Sequence, residues 1–350
     1  MELKDIFRIR LKSAREMNGL SMAALAAKMD GIVSPQAVYK YEAGKMLPNS
    51  TVLNALCDVL GADPDYFFKP VNVALKDISF RKKAKMTETE KKMIIGKIKD
   101  GIERYYEIED LCGISRSFSM NFHDAVVSDE GTVYELAERL RREWNLGSSG
   151  ISNVIGLLEE HGILVVETDV SEDFDGLSGN ADGSPVIVLN KNFTPERKRF
   201  TALHELGHIL MKFSDRLTQK QIESLCHLFA NEVLIPRNTF KDAVGDISSR
   251  PIHINQFVDI QMLYGVSIDA LMYKAMKLEM IPQSRYVRYR QRKNKDARFK
   301  QIIDESRIGD EKSERFDSLV YKAYAGEIIS LSKAASLLQI PESDIRQVYV

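Results

Sequence analysis

Cysteine is scarce in this sequence. Three cysteines occur among 350 residues, Cys57, Cys112 and Cys226, and they form no Cys-x-x-Cys pair. A disulfide framework and a thiolate zinc site are therefore both disfavoured, and a reducing compartment is expected. No apolar run approaches the length that spans a bilayer, and the opening Met-Glu-Leu-Lys-Asp does not resemble a signal peptide. We expect a cytoplasmic protein without membrane contact.

An excess of charge of either sign is also missing. The chain has 49 Lys and Arg against 50 Asp and Glu, for a net charge of −1. Nucleic-acid binding would therefore need a local basic patch. The hydrophobic fraction of 44% and the charged fraction of 28% are typical of a globular protein with room for two or three domains.

Histidine is likewise rare, yet two of the six histidines stand in the sequence His-Glu-Leu-Gly-His at positions 204–208. The surrounding apolar residues predict a helix that begins near Thr194. On that helix His204 and His208 share one face, so both imidazoles can reach a single metal ion. Glu205 lies beside this face, where its carboxylate can take a proton from a metal-bound water.

The third ligand of such a site is expected on the next predicted helix, Thr218 to Leu234. A catalytic zinc typically keeps three protein ligands and one open position. Glu223 and Glu232 face opposite sides of that helix, so only one of them can reach the metal. His227 lies one turn after Glu223. It either orients the ligand, binds the metal itself, or is simply a polar residue at the edge of a packed helix.

These two segments resemble the ImmA/IrrE family of metallopeptidases. The second helix of the family is similar to Glu-x-x-Ala-Asn-x-Phe-Ala-x-x-Leu-Leu-x-Pro, and residues 223–236 read Glu-Ser-Leu-Cys-His-Leu-Phe-Ala-Asn-Glu-Val-Leu-Ile-Pro. The resemblance implies Glu223 as the third ligand, ahead of Glu232. The ligand types favour zinc, and they also accept manganese. Cys226 and His227 depart from the family pattern.

The first seventy residues have the layout of a helix-turn-helix unit. Ser21 is expected to cap a helix from Met22 to Met29, and Ser34 with Pro35 to open the next one. Residues 1–70 closely resemble Xre/Cro-type repressor domains. The resemblance is carried by Ala26-Ala27, Tyr39 to Lys45, Pro48, Leu56, Leu60-Gly61 and Asp65-Tyr66-Phe67.

The third helix of this unit is expected to enter the major groove of operator DNA. The candidates for base contacts lie at its start: Ser34, Gln36, Ala37 and Lys40. Phosphate contacts are expected from Lys45, Arg15 and Arg10. Because repressor domains of this type usually act about a two-fold axis, we expect a homodimer.

We expect an α+β, mostly α fold in four parts. They are the helix-turn-helix bundle at 1–70, a helical connecting arm at 71–130, a zincin-like metallopeptidase domain at 131–285, and a basic linker with a small helical cap at 286–350. The arm contains an amphipathic helix, Thr87 to about Leu111, which is a candidate dimerisation element.

A small antiparallel or mixed sheet is expected beside the metal helix. Its strands are predicted at 163–166 and 185–190, with a turn-rich connector at 174–179. An edge strand of this sheet would flank the metal, and an extended peptide could add to that edge. This arrangement favours a peptide substrate.

The resemblances together imply a transcription regulator that binds operator DNA and has metal-dependent peptidase activity. Its substrate would be a repressor or another regulatory protein, in a stress response or a mobile element. The alternative is a non-proteolytic regulator or antitoxin-like module whose metallopeptidase fold acts as a sensor. The intact His-Glu-x-x-His motif favours the peptidase.

Overall fold

The computed structural model describes residues 2–70, 75–80, 87–115, 117–118, 120–170, 174–248 and 252–348. Helices dominate this part of the chain, and its strands form a four-stranded mixed sheet and a separate two-stranded pair. The expected α+β, mostly α class is confirmed. None of the described helices is long and apolar enough to cross a membrane.

The N-terminal bundle is built as its capping signals predict. Its helices are α1 (Leu3–Met17), α2 (Met22–Lys28), α3 (Pro35–Glu42) and α4 (Ser50–Leu60), followed by a short 3-10 helix (Pro64–Phe68). Ser21 Oγ accepts from Ala24 N at 3.0 Å, and Ser34 Oγ accepts from Ala37 N at 3.2 Å. These bonds satisfy helix-end N–H groups, which fixes where α2 and α3 begin.

Helix α5 (Glu88–Leu111) contacts the N-terminal helix α1 and strand β3 (Leu164–Thr168). Its apolar side chains pack against the four-stranded sheet and are buried there: Ile94, Ile98, Ile102, Tyr105 and Tyr106. The helix predicted from Thr87 is confirmed, but the face offered for dimerisation is covered within the chain. The amphipathic pattern therefore marked an internal packing surface.

Ion pairs join the N-terminal bundle to α5. The guanidinium of Arg10 pairs with Glu103 and also donates to the backbone oxygens of Lys69 and Pro70. Lys69 Nζ lies 2.6 Å from Glu107 Oε2. Because Arg10 is buried in these contacts, its expected role at a DNA phosphate is wrong.

The strands are β1 (Leu75–Phe80), β2 (Val126–Val127), β3 (Leu164–Thr168), β4 (Gly176–Ala181), β5 (Ser184–Asn190) and β6 (Lys212–Phe213). The larger sheet has the order β1-β4-β5-β3, with β3 parallel to β5 and the other pairs antiparallel. The two predicted strands are confirmed as β3 and β5. The smaller sheet pairs β2 with β6 in parallel.

Strand β4 replaces most of the predicted turn-rich connector at 174–179. The turn lies after β4, at Asp182 and Gly183, whose φ angles are 48° and 94°. An Asp-Gly pair with positive φ at both residues closes a two-residue hairpin. The glycines and serine of β4 suggested a loop, so the prediction of a connector there was wrong.

Strand β1 was not predicted at all. It arises in the expected helical arm and pairs with the outer side of β4, from Leu75 opposite Ala181 to Phe80 opposite Leu177. Strand β4 therefore has a neighbour on each side, and the expected free edge next to the metal helix is covered by β1.

Nine helices surround the core of the C-terminal unit. They are α6 (Glu130–Glu143), α7 (Val154–Glu160), α8 (Pro195–Leu210), α9 (Gln219–Leu234), α10 (Arg237–Val244), α11 (Ile254–Tyr264), α12 (Ile268–Lys277), α13 (Gln283–Lys295) and α14 (Ala297–Asp304) in the described part of the chain. Phe122, Tyr289 and Ile303 are buried in the same core. The core thus extends past both ends of 131–285.

The stretch predicted to be a basic linker is helix α13. Tyr289 OH donates to Asp269 Oδ1 at 2.6 Å, and Lys293 pairs with Asp269 and Asp304. Tyr289 and Lys293 are buried, whereas the outer face of the helix carries the exposed basic residues Arg288, Arg290, Arg292 and Lys295. The linker prediction was wrong.

Three short helices complete the described chain: α15 (Arg315–Ala325), α16 (Leu331–Leu338) and α17 (Glu342–Val348). They form a small cluster of their own around Ile108, near the end of α5. Lys333 pairs with Glu107 of the same helix. The C-terminal helices therefore cap α5.

Candidate active site and DNA-binding surface

Helices α8 and α9 pack closely because α8 carries a glycine where they meet. A Cβ at Gly207 would lie 3.3 Å from Phe229 Cδ1 and 3.5 Å from Cys226 Sγ. Such spacing leaves little room for a side chain, so a glycine at this position allows the two helices to approach closely. Helix α8 begins after Thr194, as expected.

Three predicted side chains converge between these helices. His204 Nε2 lies 3.0 Å from His208 Nε2, and the carboxylate oxygens of Glu223 lie 3.3 and 3.4 Å from these two nitrogens. Ligand atoms held tetrahedrally about 2.0–2.1 Å from a zinc ion are about 3.3 Å apart. The three groups therefore fit one divalent cation.

Glu223 and Glu232 have separate environments. Gln219 Nε2 donates to Glu223 Oε1 at 3.0 Å, which holds the carboxylate toward the histidines. Glu232 is buried in an ion pair with Lys274, and its Oε2 accepts from the backbone N–H of Arg237 at 3.0 Å. The geometry thus brings Glu223 to the histidine pair and places Glu232 elsewhere.

Two further side chains of α9 border the cluster. Cys226 Sγ, one ring nitrogen of His204 and one ring nitrogen of His208 lie within 4.8 Å of one another. The ring of His227 lies 4.6 Å from that of His204 and 5.5 Å from that of Phe200, measured between centroids. Sequence reasoning left Cys226 out of the site, because it treated cysteine only as part of a paired motif.

Glu205 is buried beneath strand β4. Ser178 Oγ donates to Glu205 Oε2 at 2.8 Å, and only 1% of Glu205 is exposed. Strand β4 comes this close because a Cβ at Gly176 would lie 2.7 Å from Thr201 Cγ2. Ser178 was missed because its segment was assigned to a turn. The Asp-Gly pair after it was the signal that could have identified the strand.

The cluster is more open on one side than on the other. The side chain of His204 is fully buried, whereas 15% of His208 and 28% of Glu223 is exposed. A cavity of about 270 Å³ lies beside His227, and its lining includes Phe200, Leu228, Tyr273 and Leu278. Solvent and an apolar side chain can therefore both approach this region.

The residues predicted to read DNA lie together at the start of α3. Ser34, Gln36 and Lys40 are exposed, Ala37 is half-buried, and Lys45 is exposed beyond the end of the helix. Ser34 also caps the helix, as described above. The five positions thus form one surface that includes the N-terminus of α3.

Tyr39 belongs to this surface, although sequence reasoning did not select it. Its exposed fraction is 52%, and Lys45 Nζ lies 5.5 Å from the centre of its ring. An aromatic residue one turn after Gln36 was the available signal.

Arg15, which was also expected at a phosphate, is buried instead. Its guanidinium binds both carboxylate oxygens of Glu42, at 2.6 and 2.9 Å, and donates to Leu20 O at 2.7 Å. A bidentate pair of this kind ties α1 to the end of α3. The prediction for Arg15 was wrong because its guanidinium is bound to Glu42 and Leu20 within the domain.

Two family models match the sequence. A model described as Helix-turn-helix matches residues 11–67, and a model described as IrrE N-terminal-like domain matches residues 158–276. The chain joins a helix-turn-helix domain to an IrrE-like peptidase domain. No curated protein matches it. The two resemblances drawn from the motifs are thereby confirmed.

The IrrE-like match covers the converging side chains but not all that surrounds them. It includes strands β3 to β6 and helices α8, α9, α10 and α11. Strand β1 and helix α5 lie between the two matched regions. The covering strand of β4 is therefore contributed from outside the IrrE-like domain.

Proposed function

We propose that this chain is a DNA-binding transcription regulator whose IrrE-like domain hydrolyses a peptide bond in a protein partner. The observation that carries the proposal is the spacing of 3.0 to 3.4 Å among the donor atoms of His204, His208 and Glu223. Three such donors from two helices match the ligand set that a catalytic metal site uses.

In this proposal His204, His208 and Glu223 hold the cation, and the ligand types favour zinc. A divalent ion bound there would polarise a carbonyl group and increase the acidity of a water molecule. Gln219 keeps the Glu223 carboxylate in position through its hydrogen bond. The partly exposed side of the cluster, near His208 and Glu223, leaves access for water and substrate.

Glu205 is the proposed general base. Its carboxylate takes a proton from water as the water oxygen attacks the peptide carbonyl, and returns a proton to the leaving amine. Ser178 donates to Oε2 and so fixes the orientation of the carboxylate. The products are a new carboxyl terminus and a new amino terminus.

A peptide substrate suits the surroundings of the cluster. Strand β4 runs beside Glu205, and an extended chain that displaced β1 would form main-chain hydrogen bonds with its outer side. The cavity beside His227 has aromatic and aliphatic walls that suit an apolar side chain. We propose a repressor or similar regulatory protein as the substrate.

The helix-turn-helix domain is proposed to bring the peptidase to an operator. Gln36 and Lys40 project from α3 where base edges would lie, and Lys45 adds charge beside them. A homodimer would place two such surfaces on the half-sites of a palindromic operator. The buried apolar face of α5 means that another surface would form the dimer.

The Glu205→Gln variant tests the peptidase directly. It keeps the shape of the side chain but cannot accept the proton, so cleavage should fall at least about 100-fold. Zinc content should stay unchanged, because His204, His208 and Glu223 are intact. New protein N-termini would be mapped by mass spectrometry in cells that express either form.

The same N-terminal map distinguishes the alternative function. Cleavage products that appear with the parent chain and vanish with Glu205→Gln would support the peptidase. Identical maps, together with unchanged target-gene expression, would contradict the peptidase function and support the non-proteolytic sensor.

A further inference from the structure

Strand β1 lies where an extended substrate would be expected to bind. Strand β4 carries Ser178, whose hydroxyl contacts Glu205, so β4 is the strand closest to the proposed general base. Its inner side pairs with β5, and its outer side pairs with β1. A substrate that adds a strand to β4 therefore needs the side that β1 occupies.

The register places β1 directly beside the catalytic segment. Ser79 is opposite Ser178, and Phe80 is opposite Leu177, in antiparallel pairing. Neighbouring strands lie about 4.8 Å apart. The backbone of β1 thus runs about one strand spacing from the residue that orients Glu205.

The pairing between β1 and β4 is interrupted at this point. Lys76 is opposite Asn180 and Ser79 is opposite Ser178, so β1 has one more residue than β4 between these pairs. Such a bulge leaves ladder hydrogen bonds unmade and bends the strand. A competing peptide without a bulge could therefore pair more regularly with β4.

The connector that contains β1 is held at both ends. Pro70 O accepts from Arg10 Nη2 at 2.6 Å, and Thr87 caps helix α5. A strand tethered between fixed points competes at an effective concentration of about a millimolar. A free peptide must therefore bind β4 in competition with this tethered strand.

We propose that β1 blocks the substrate side of β4 in cis, so that the chain restrains its own peptidase site until this strand is displaced. The inference rests on the proposed function for its biological meaning, but the blocking itself is a binding property. If β1 is paired in about nine molecules of ten, peptide affinity is reduced about tenfold.

The binding test uses a fluorescein-labelled peptide that copies residues 73–82, Val-Ala-Leu-Lys-Asp-Ile-Ser-Phe-Arg-Lys. The full chain carries Glu205→Gln and zinc, so that the peptide is not cut. One variant replaces residues 75–80 by Gly-Ser-Gly-Ser-Gly-Ser, a flexible segment of equal length. Fluorescence anisotropy should show peptide binding at least about tenfold tighter than to the chain with β1 intact.

A second variant, Ile78→Pro with Ser79→Pro, guards against misfolding of the first. Proline has no backbone N–H and is disfavoured in a paired strand, so the two substitutions should weaken the pairing of β1 with β4. The matched control places two prolines at Lys82 and Lys83, beyond the end of β1. Equal peptide affinity in the intact chain, the control and both β1 variants would overturn the proposal.

A cleavage assay separates this inference from the proposed function. With Glu205 restored, both β1 variants should cut a library of internally quenched fluorogenic peptides about tenfold faster below KM than the control does. If no form cuts any peptide, the peptidase fails while the anisotropy result still decides whether β1 blocks β4. Cleavage of the intact chain within residues 75–80 would also overturn the proposal, since β1 would then be a substrate.

Discussion

The two acids of α9 provide the sharpest mutational contrast, because the structure gives them different tasks. Glu232→Gln should destabilise the IrrE-like domain and leave zinc binding unchanged. Glu223→Gln should weaken zinc binding and leave the metal-free domain nearly as stable as before. Each variant is therefore the control for the other.

The magnitude for Glu232 follows from its burial. The side chains of Glu232 and Lys274 are 7% and 4% exposed. Removing one partner of a buried ion pair costs about 3–5 kcal/mol, because the remaining charge stays buried. Lys274 Nζ keeps Asn231 Oδ1 at 2.8 Å and Ile235 O at 2.6 Å, so we expect the low end, about 3 kcal/mol.

The pH dependence of Glu232→Gln has a defined sign. Burial lowers the pKa of Lys274, and Glu232 opposes that shift. Loss of the carboxylate lowers this pKa further, so the folded variant binds fewer protons than its unfolded form. Its stability should therefore rise with pH toward the ordinary lysine pKa, more steeply than that of the parent.

The magnitude for Glu223 is different. Its side chain is 28% exposed and bonded to Gln219, so its loss from the metal-free protein should change stability by less than about 1 kcal/mol. Mutation of a residue that only hydrogen-bonds to a metal ligand weakens metal binding by up to about 100-fold. Loss of the ligand Glu223 itself should therefore weaken zinc binding by more than about 100-fold.

Urea unfolding of the chelator-treated protein measures the stability changes. The single tryptophan, Trp144, is buried in the core of the IrrE-like domain and reports its unfolding by fluorescence. Zinc affinity is measured by competition with a chromophoric chelator. Two results would refute these separate roles: Glu232→Gln weakening zinc binding as much as Glu223→Gln, or Glu232→Gln lowering the free energy of unfolding by less than about 1 kcal/mol.

Three other predictions concern separate parts of the molecule. Burial raises the pKa of Glu159 to about 7, so the free energy of unfolding should fall by about 3 kcal/mol more in the parent than in Glu159→Gln as the pH rises from 4.5 to 8. Urea midpoints that change with pH in the same way for both proteins would contradict this. Arg15→Ala should destabilise the helix-turn-helix domain by about 3 kcal/mol in thermal unfolding, whereas Lys40→Ala should leave stability unchanged and weaken operator binding in a gel-shift titration. Ser178→Ala should lower kcat about tenfold with zinc content and KM unchanged, and a matching loss of zinc would contradict the orienting role.

Local signals in the sequence located the helices of the site well. Thr194 and Thr218 occupy the N-cap positions of α8 and α9, and the spacing of His204 and His208 placed both on one face. These features depend on neighbours within a few residues, so the sequence carries them directly. The choice of Glu223 over Glu232 came from the family resemblance, and the geometry agrees with it.

Features that depend on distant partners were not predictable in this way. Strand β1 is a strand only because β4 lies beside it, and its six residues lack a regular alternation of apolar and polar side chains. Arg15 and Arg10 looked like surface charges until their acidic partners, Glu42 and Glu103, were brought next to them by folding. Charge and periodicity alone do not identify such partners.

X-ray absorption spectroscopy of the zinc-loaded chain tests the central claim most directly, because it reports the elements that bind the ion. We predict nitrogen and oxygen neighbours at about 2.0–2.1 Å, from His204, His208 and Glu223, without a sulfur shell. A sulfur neighbour at about 2.3 Å would show that Cys226 binds the ion, and would contradict the proposed ligand set.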